Sequence, residues 1–371
     1  MRVRAIELTT FRSWESLSLS FEGDTTALVG PNGCGKTSVL EAAWYCAALE
    51  SHRTSADAVL VRRGSATAVI RCDVERGRPQ AVVRNERVEL EIVTRGRARA
   101  RLGGAPVTRR RDVLGTLRAA IFSPELLAVV RAEPSDRRRF VADLLVQMHP
   151  RFHAVARDYD RALRQRNALL RDHAGSRTPP RGLEAWDEAL IGPGAELCAG
   201  RARVVRHLSP HAREAYEAVG GGAAFDVGYV PNVPAPEEQT VDAWAAQMRA
   251  RLDARRADEL TRGLTLVGPH RDDLAIDIAG MPARTHASHG ESWLAALALV
   301  LGGHAALTES LGEQPVLLLD DPFTLLDPER RVRLARALPA GAQVLVTAAD
   351  PAEIPPELDA KHVDVGSAHN G

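Results

Sequence analysis

The residues best suited to chemistry lie near the start of the chain, in Gly30-Pro31-Asn32-Gly33-Cys34-Gly35-Lys36-Thr37. They follow a short apolar run and lead, from Ser38 onward, into an amphipathic stretch. This is G-x-x-x-x-G-K-[ST] in the strand, loop and helix setting that lets such a loop cradle nucleotide phosphates. The glycines allow consecutive N–H groups to curl around a β-phosphate. Lys36 reaches the β/γ oxygens, and the Thr37 hydroxyl is a ligand for Mg²⁺. The nucleotide-binding set therefore runs from Gly30 to Ser38. Lys36 is informative for a second reason, because it and Lys361 are the only lysines among 48 basic residues. An ammonium is a compact point charge and a guanidinium a planar fork, so a lysine retained in so arginine-rich a chain marks a place where the fork does not serve.

A nucleotide site of this kind needs a further carboxylate for the metal. The segment "QPVLLLDDPFTLLD" (314–327) runs an apolar strand into Asp320 and Asp321. Asp320 is assigned to Mg²⁺ and Asp321 to polarising the attacking water. Asp327 precedes Pro328 and reads as a helix N-cap. A second phosphate surface is offered by "SHGESW" (288–293), where Ser288 and Glu291 have the S-x-x-E spacing of a capping box. A capped helix start bearing Ser288 and Gly290 is also an anion site.

Periodicity gives the elements that must position these groups. Strands are expected at 2–9, 16–22 and 25–29, in the basic region 68–102, and at 264–267, 315–319 and 343–347. The middle reads as helical. Phe152, Val155, Tyr159, Leu163 and Leu170 recur at three-to-four spacing, and a second amphipathic stretch runs from Leu183 through Trp186, Leu190 and Leu197 to Leu208. Because Lys36 and Asp320 must meet around one metal ion, the two chain ends are expected to form one α/β domain with the middle inserted as a short two-helix arm. The expected division is 1–125, 126–260 and 261–371.

Composition narrows the class. At 371 residues and 45% hydrophobic, the chain is in the range of a folded soluble protein. Its start, "MRVRAIELTTF", alternates polar and apolar residues, and no apolar run approaches a membrane span, so a cytoplasmic address without a membrane partner is expected. Cys34, Cys46, Cys72 and Cys198 show no C-x-x-C pairing and are expected to be free thiols. With 48 basic and 48 acidic residues, net charge gives no reason to expect nucleic acid. The distribution says more. "RGRARARLGGAPVTRRR" (95–111) holds seven arginines and no acid, and Arg95, Arg97, Arg99 and Arg101 alternate as they would on one face of a strand. A solvated edge strand and a phosphate-facing surface both fit that pattern.

Taken in order, "FRSWESL", "GPNGCGKTSVLEA", "SHRTSAD", "FSPELLAVV" with "PSDRRRF", "ALRQRNALL", "EAWDEAL", "TLVGPHRDDL", "ASHGESW" and "VLLLDD" resemble the RecF family, whose ATPase head is of the ABC/SMC type. The resemblance covers essentially the whole chain. It implies an ABC-type P-loop ATPase head formed by both chain ends, with an antiparallel β subdomain and an inserted, mainly helical arm. It also implies ATP and Mg²⁺ as ligands, a head-to-head homodimer around two nucleotides, and binding of double-stranded DNA near single-strand gaps. RecR and RecO would be partners in loading RecA during recombinational repair.

Residue by residue, the resemblance makes Gly30 to Thr37 the Walker A loop, Asp320 and Asp321 the Walker B acids, Ser288 to Glu291 the signature and Asp327 the dimer-facing acid. It puts Arg12 and Ser13 close to the nucleotide and Thr347 at the switch position. A threonine positions water without taking its proton near neutral pH, so slow hydrolysis is expected. The resemblance implies a weak ATPase stimulated by DNA. Arg137, Arg138 and Arg139, with Arg161, Arg164 and Arg166, are expected to line a DNA-backbone face. The 4% aromatic content argues against a platform for stacking single strands.

Glu291 stands where the family usually has glutamine, and an acid aimed at a phosphate would repel it. Folding back onto the Ser288 N–H resolves that conflict. In "GPHRDDL" (268–274), a turn with local Asx hydrogen bonds is expected for His270, Asp272 and Asp273 in preference to a metal site. Two alternatives share the phosphate loop and acids. One is a transporter's nucleotide-binding subunit, which should carry L-S-G-G-Q; the other is an ATP-binding scaffold with little hydrolysis.

Overall fold

Short, continuously apolar runs build a parallel sheet in the order β14 (Lys361–Asp364), β3 (Thr25–Val29), β13 (Val344–Ala348), β12 (Val316–Leu319) and β8 (Ala119–Phe122). The computed structural model describes residues 1–77, 84–176 and 178–366. Every residue of β8, β12 and β13 is buried, as expected for strands covered on both faces. Strands from the two chain ends lie side by side, so only β13 separates the loop after β3 from the acids after β12. Sequence reading missed β8, because four apolar residues without alternation carry no periodic signal.

A six-stranded antiparallel sheet covers the first, in the order β2 (Trp14–Ser20), β1 (Arg2–Phe11), β4 (Thr67–Arg76), β5 (Arg84–Val93), β6 (Arg99–Leu102) and β7 (Ala105–Pro106). Helix α1 (Lys36–Ala48) is clamped between the sheets. One core joins Ile6, Ile70 and Leu90 to Val39, Leu40 and Tyr45 of α1 and to Leu28, Leu318 and Leu345 beyond it. Part of the strand region expected at 68–102, positions 78–83, lies outside the described residues.

The second core is mainly helical and packs on the sheet residues Val29, Phe122, Leu319 and Val346. It gathers α2 (Leu127–Arg131), α3 (Pro134–Met148), α4 (Phe152–Asp172), α5 (Leu183–Ala218) and α6 (Val241–Arg262). The expected two helices are thus part of a larger group. Helix α5 runs for 36 residues, past the expected end near Leu208, although Pro193 and Pro210 each remove a backbone donor. A three-stranded sheet, ordered β11 (Met281–Pro282), β10 (Asp273–Ile278) and β9 (Phe225–Val230), leads through α7 (Ala283–His286) to α8 (His289–Leu311). Helix α9 (Pro328–Ala337) precedes β13.

The strand expected at 264–267 does not form. There the Thr265 N–H donates to Asn167 Oδ1 (2.7 Å) and the Leu266 N–H to Glu259 Oε1 (2.7 Å), so side chains take the bonds a neighbouring strand would supply. The expectation that no apolar run nears a membrane span also needs correction. Helix α8, with 23 residues, is long and apolar enough to cross a bilayer, but 72% of its most apolar window is buried in the protein. Its apolarity reflects a core position.

Helices α5 and α8 cross closely at Gly302, where a Cβ would sit 2.5 Å from Ala212 N and 2.6 Å from its Cα. Gly302→Ala is expected to destabilise the fold by about 1–3 kcal/mol despite alanine's better helix propensity, because backbone must move. Gly303→Ala meets only Leu144, at 3.6 Å, and should stabilise by about 0.5–1 kcal/mol. Urea midpoints moving in opposite directions would establish the contrast; equal shifts would contradict it.

Buried histidines add a pH dependence. His304 is 2% exposed, its Nε2–H donates to the Pro315 carbonyl (3.0 Å), and burial pushes its pKa down to about 4. The folded state resists a proton that the unfolded chain takes near pH 6.5, so this contribution is intact above that pH and is lost as pH falls toward 4. The expected loss is on the order of 1–3 kcal/mol. His304→Gln should flatten the change in urea midpoint between pH 7 and 5; an unchanged slope would refute the assignment.

Candidate nucleotide-binding site

The phosphate loop is shaped by its glycines and by one indole. Gly35 has φ 98° at the N-cap of α1, and a Cβ there would lie 2.5 Å from Trp14 Nε1. Trp14 Nε1–H donates to the Gly35 carbonyl (3.2 Å), which fixes the loop against β2. Gly30 has φ 149°, and a Cβ on it would meet Cys34 Sγ at 3.0 Å. Pro31, Asn32 and Gly33 are exposed, whereas Cys34, Lys36 and Ser38 are buried. The Lys36 ammonium is 5% exposed and donates to the carbonyls of Gly30 (2.7 Å) and Pro31 (3.2 Å).

Both chain ends converge on one carboxylate oxygen. Thr37 Oγ1 donates to Asp320 Oδ1 (2.9 Å), and so does Thr347 Oγ1 (2.7 Å). Thr347 Oγ1 in turn accepts the Asp321 N–H (2.8 Å). One hydroxyl on the strand between them therefore holds both acids in register. Asp321 has φ 46°, a left-handed conformation that aspartate tolerates better than most residues. Burial raises the Asp320 pKa to about 6, with the two threonine hydrogen bonds opposing the shift and neighbouring Asp321 adding to it. A buried carboxyl of this kind, flanked by a hydroxyl and a second acid, fits a divalent cation, which would compensate the charge that burial disfavours.

Arg12 does not point freely at the loop. Its backbone has φ 53°, and its guanidinium grips Glu41 of α1 bidentately, Nε to Oε2 at 2.7 Å and Nη2 to Oε1 at 2.5 Å. Ser13 is exposed in the same turn. Glu41 is fully buried and also accepts the Ser51 hydroxyl, and Arg53 reaches Glu125 (3.1 Å). Trp14, Glu41 and Ser51 were not singled out as site residues from sequence. They lie inside the quoted segments "FRSWESL", "SVLEA" and "SHRTSAD", whose composition alone does not say what each side chain touches.

At the start of α8 the capping box is closed. The Ser288 N–H donates to Glu291 Oε2 (2.8 Å), and the Glu291 N–H donates to Ser288 Oγ (3.2 Å). The bond from the Ser288 backbone holds the Glu291 carboxyl below the usual carboxylate range. The carboxylate thus faces its own backbone, leaving Ser288 exposed and Gly290 with open space above it. Trp293 Nε1–H donates to the Pro322 carbonyl (3.0 Å), tying this helix to the segment after Asp321. Asp327 caps α9 by accepting the Arg330 N–H (2.9 Å).

The arginine assignments divide. Arg166 is fully buried between Asp187 (2.7 Å) and Glu259 (2.6 Å), so it braces the helical region and faces no DNA. Arg137 is 6% exposed and paired with Asp273 (2.6 Å), which removes it as well. Arg138 donates to the Asp272 carbonyl (2.8 Å), and Arg139 donates to the Ser51 carbonyl beside Glu50. Sequence spacing could not reveal these partners, which lie from 21 to 136 positions away. Arg95 and Arg97 precede β6, and only Arg99 and Arg101 share a strand face, so the expected four-residue row is half a row. All four are exposed. Arg161 and Arg164 are exposed on α4.

"GPHRDDL" is a joint, and only Asp273, accepting the Leu274 N–H (2.8 Å), makes the expected local bond. Asp272 accepts from Arg201 (3.1 Å), the Tyr229 hydroxyl and the Asn232 N–H (2.8 Å), and His270 Nδ1 meets the Tyr159 hydroxyl at 2.6 Å. Burial pushes His270 down to about 4, so the ring is neutral and structural.

A parallel sheet with a lysine loop after one strand and paired acids after another, beside a capped signature helix, defines a P-loop head of the ABC/SMC class. The family description "RecF/RecN/SMC N terminal domain" matches residues 2–360. "DNA replication and repair protein RecF" of Frankia alni is 47% identical over 96% of this chain and 96% of its own length. The protein of the same name from Kineococcus radiotolerans is 44% identical, covering 98% of this chain and 97% of its own. The solved "Structure of the recombination mediator protein RecF-ATP in RecFOR pathway" is 25% identical with TM-score 0.84, covering 95% of this chain and 93% of that one. A Pyrococcus furiosus Smc head, at 16% identity and TM-score 0.52 over 96% of this chain and 90% of that one, shares the fold. The chain belongs to the RecF family.

Proposed function

We propose that the protein is an ATP-dependent, DNA-binding recombination mediator that pairs head to head on ATP, holds duplex DNA near single-strand gaps and promotes RecA loading together with RecR and RecO. The reading is carried by the cluster in which Thr37, Thr347 and Asp320 meet beside the Lys36 loop. In it, Lys36 and the loop N–H groups hold the phosphates, while Thr37 and Asp320 hold Mg²⁺. The cation supplies charge neutralisation at phosphate oxygens. Asp321 accepts a hydrogen bond from the attacking water, and Thr347 orients water and acids without serving as a base, which supports slow turnover. Ser288, Gly290 and Asp327 face the nucleotide held by a partner copy. The division into 1–125, 126–260 and 261–371 stands as part of this proposal, as does a cytoplasmic location.

A basic cleft replaces Arg137 to Arg139 as the DNA surface. It has a volume of about 1130 Å³ between β6, β7 and α4 and is lined by Arg97, Arg99, Arg101, Arg109, Arg110, Arg111, His153 and Arg157, with no acidic residue in its walls among the described residues. Arg157, Arg161 and Arg164 continue it along one stripe of α4. Its partner chemistry is a phosphate backbone, bound with little regard for sequence. The double variant Arg99→Ala/Arg101→Ala should weaken duplex binding roughly tenfold and lower the salt slope by about 2, read by fluorescence anisotropy at several salt concentrations. An unchanged slope would remove this cleft from the interface.

A further inference from the structure

A pocket of about 110 Å³ lies where α1, β8, α3 and α8 meet, and none of Gly30 to Ser38 lines it. Its walls mix two chemistries: Trp44, Phe140, Leu144 and Leu299 supply apolar surface, and Glu125, Asp136 and Asp143 bring three carboxyl groups, Asp136, Phe140, Asp143 and Leu144 following one face of α3. Arg139, the one guanidinium there among the described residues, is already engaged, because it donates to the Ser51 carbonyl and stands 3.9 Å from Glu50. Burial, then the repulsion of and hydrogen bond with the neighbouring Glu50, push the Asp143 carboxyl well above its ordinary range. The Trp44 indole N–H and both His52 ring nitrogens are buried without a hydrogen-bond partner. Unsatisfied groups of this kind are costly in a core and commonly mark a site meant for a guest or ordered water.

We propose that this pocket binds a single-ring organic cation, of the amidine or protonated amino-heterocycle class, and that its occupancy is felt at the nucleotide site. Size sets the first limit, since an apolar cavity of about 150 Å³ takes one benzene ring. Charge sets the second. A planar N–C–N cation pairs bidentately with a carboxylate and would relieve the crowding of acids around Asp143. Its ring face suits Trp44 and Phe140, whose π systems attract cations. The coupling route is short. His52 adjoins Ser51, whose hydroxyl bonds Glu41, and Glu41 grips Arg12 from the helix that begins with Lys36 and Thr37. This second half of the proposal rests on the ATP-binding reading above.

Calorimetric titration of the full chain with 2-aminopyridine, at a pH where it is protonated, tests the site, with toluene as the neutral control. Saturable one-to-one binding is expected, at least tenfold tighter than toluene. Gly303 lines the pocket, so Gly303→Leu should abolish binding and the smaller Gly303→Ala should weaken it about threefold while remaining folded by circular dichroism. Asp143→Asn should cost 2-aminopyridine at least tenfold and leave toluene unchanged. Absence of saturable binding to the wild type, or binding that Gly303→Ala and Asp143→Asn leave intact, overturns the site. Saturating 2-aminopyridine should also shift ATP affinity at least threefold, with ATP shifting 2-aminopyridine affinity by the same factor. Pocket binding without that reciprocity overturns the coupling alone, and failure to bind ATP at all sinks the nucleotide reading while leaving the pocket measurement valid.

Discussion

Lys36→Ala is expected to weaken ATP binding by ten- to a hundredfold and to abolish measurable turnover. A hydrogen bond to a charged group contributes about 1.5–3 kcal/mol, and Lys36 is the cation that the loop itself supplies. The fold should survive, because alanine is a strong helix former and the two carbonyls that Lys36 meets, Gly30 and Pro31, belong to a loop edge with exposed neighbours. Lys36→Arg is the sharper variant. It keeps the charge but requires a longer planar fork to occupy a position that is 5% exposed, so turnover should fall nearly as far as with alanine. Equilibrium binding of a fluorescent ATP analogue, with phosphate release measured in parallel, decides the matter. Near-normal binding by both variants would mean that the loop holds something other than a nucleotide triphosphate.

Asp321→Asn should behave in the opposite way, retaining ATP binding while hydrolysis falls by about a hundredfold or more. The substitution leaves the backbone undisturbed. Residue 321 has φ 46°, where asparagine is as comfortable as aspartate, and its N–H bond to Thr347 is unaffected by the side chain. What disappears is the negative charge proposed to accept the attacking water's hydrogen bond. Asp321→Ala would confound this by adding backbone strain, so asparagine is the informative change. Single-turnover phosphate release should be slow while ATP affinity stays within about threefold of wild type. A variant that hydrolyses normally would move the role to another residue, Thr347 or Glu125 first among those near the acids.

The phosphate loop and the acids were readable in sequence because backbone geometry demands particular residue types there. Glycine suits the positive φ values at Gly30, Gly33 and Gly35, and a carboxylate at a strand end is the kind of ligand a divalent cation would take. Their meeting across more than 280 positions was readable too, as a consequence of needing one metal site. The arginines were not. Arg137 and Arg166 look in sequence like Arg99 and Arg101, and what separates them is burial in a close ion pair: Arg137 and Arg166 are buried 2.6 Å from Asp273 and Glu259, whereas Arg99 and Arg101 lie exposed, 3.8 and 3.7 Å from Glu91 and Glu89. Extended segments failed in the same way. "LTLV" has strand composition yet takes its hydrogen bonds from Asn167 and Glu259, whereas "RAAIF" carries no alternation yet lies at the edge of the central sheet. The Glu291 conflict, by contrast, was resolved by local spacing, because a capping box needs nothing beyond its own four residues.

The central claim, that ATP drives pairing of two heads, is tested most directly by sedimentation velocity of the Asp321→Asn chain with and without ATP and Mg²⁺. The account predicts monomers without nucleotide and a stable dimer with it, reverting when Lys36→Ala is added to the same chain. A species that sediments as a monomer under every condition, with ATP shown to be bound, would contradict it.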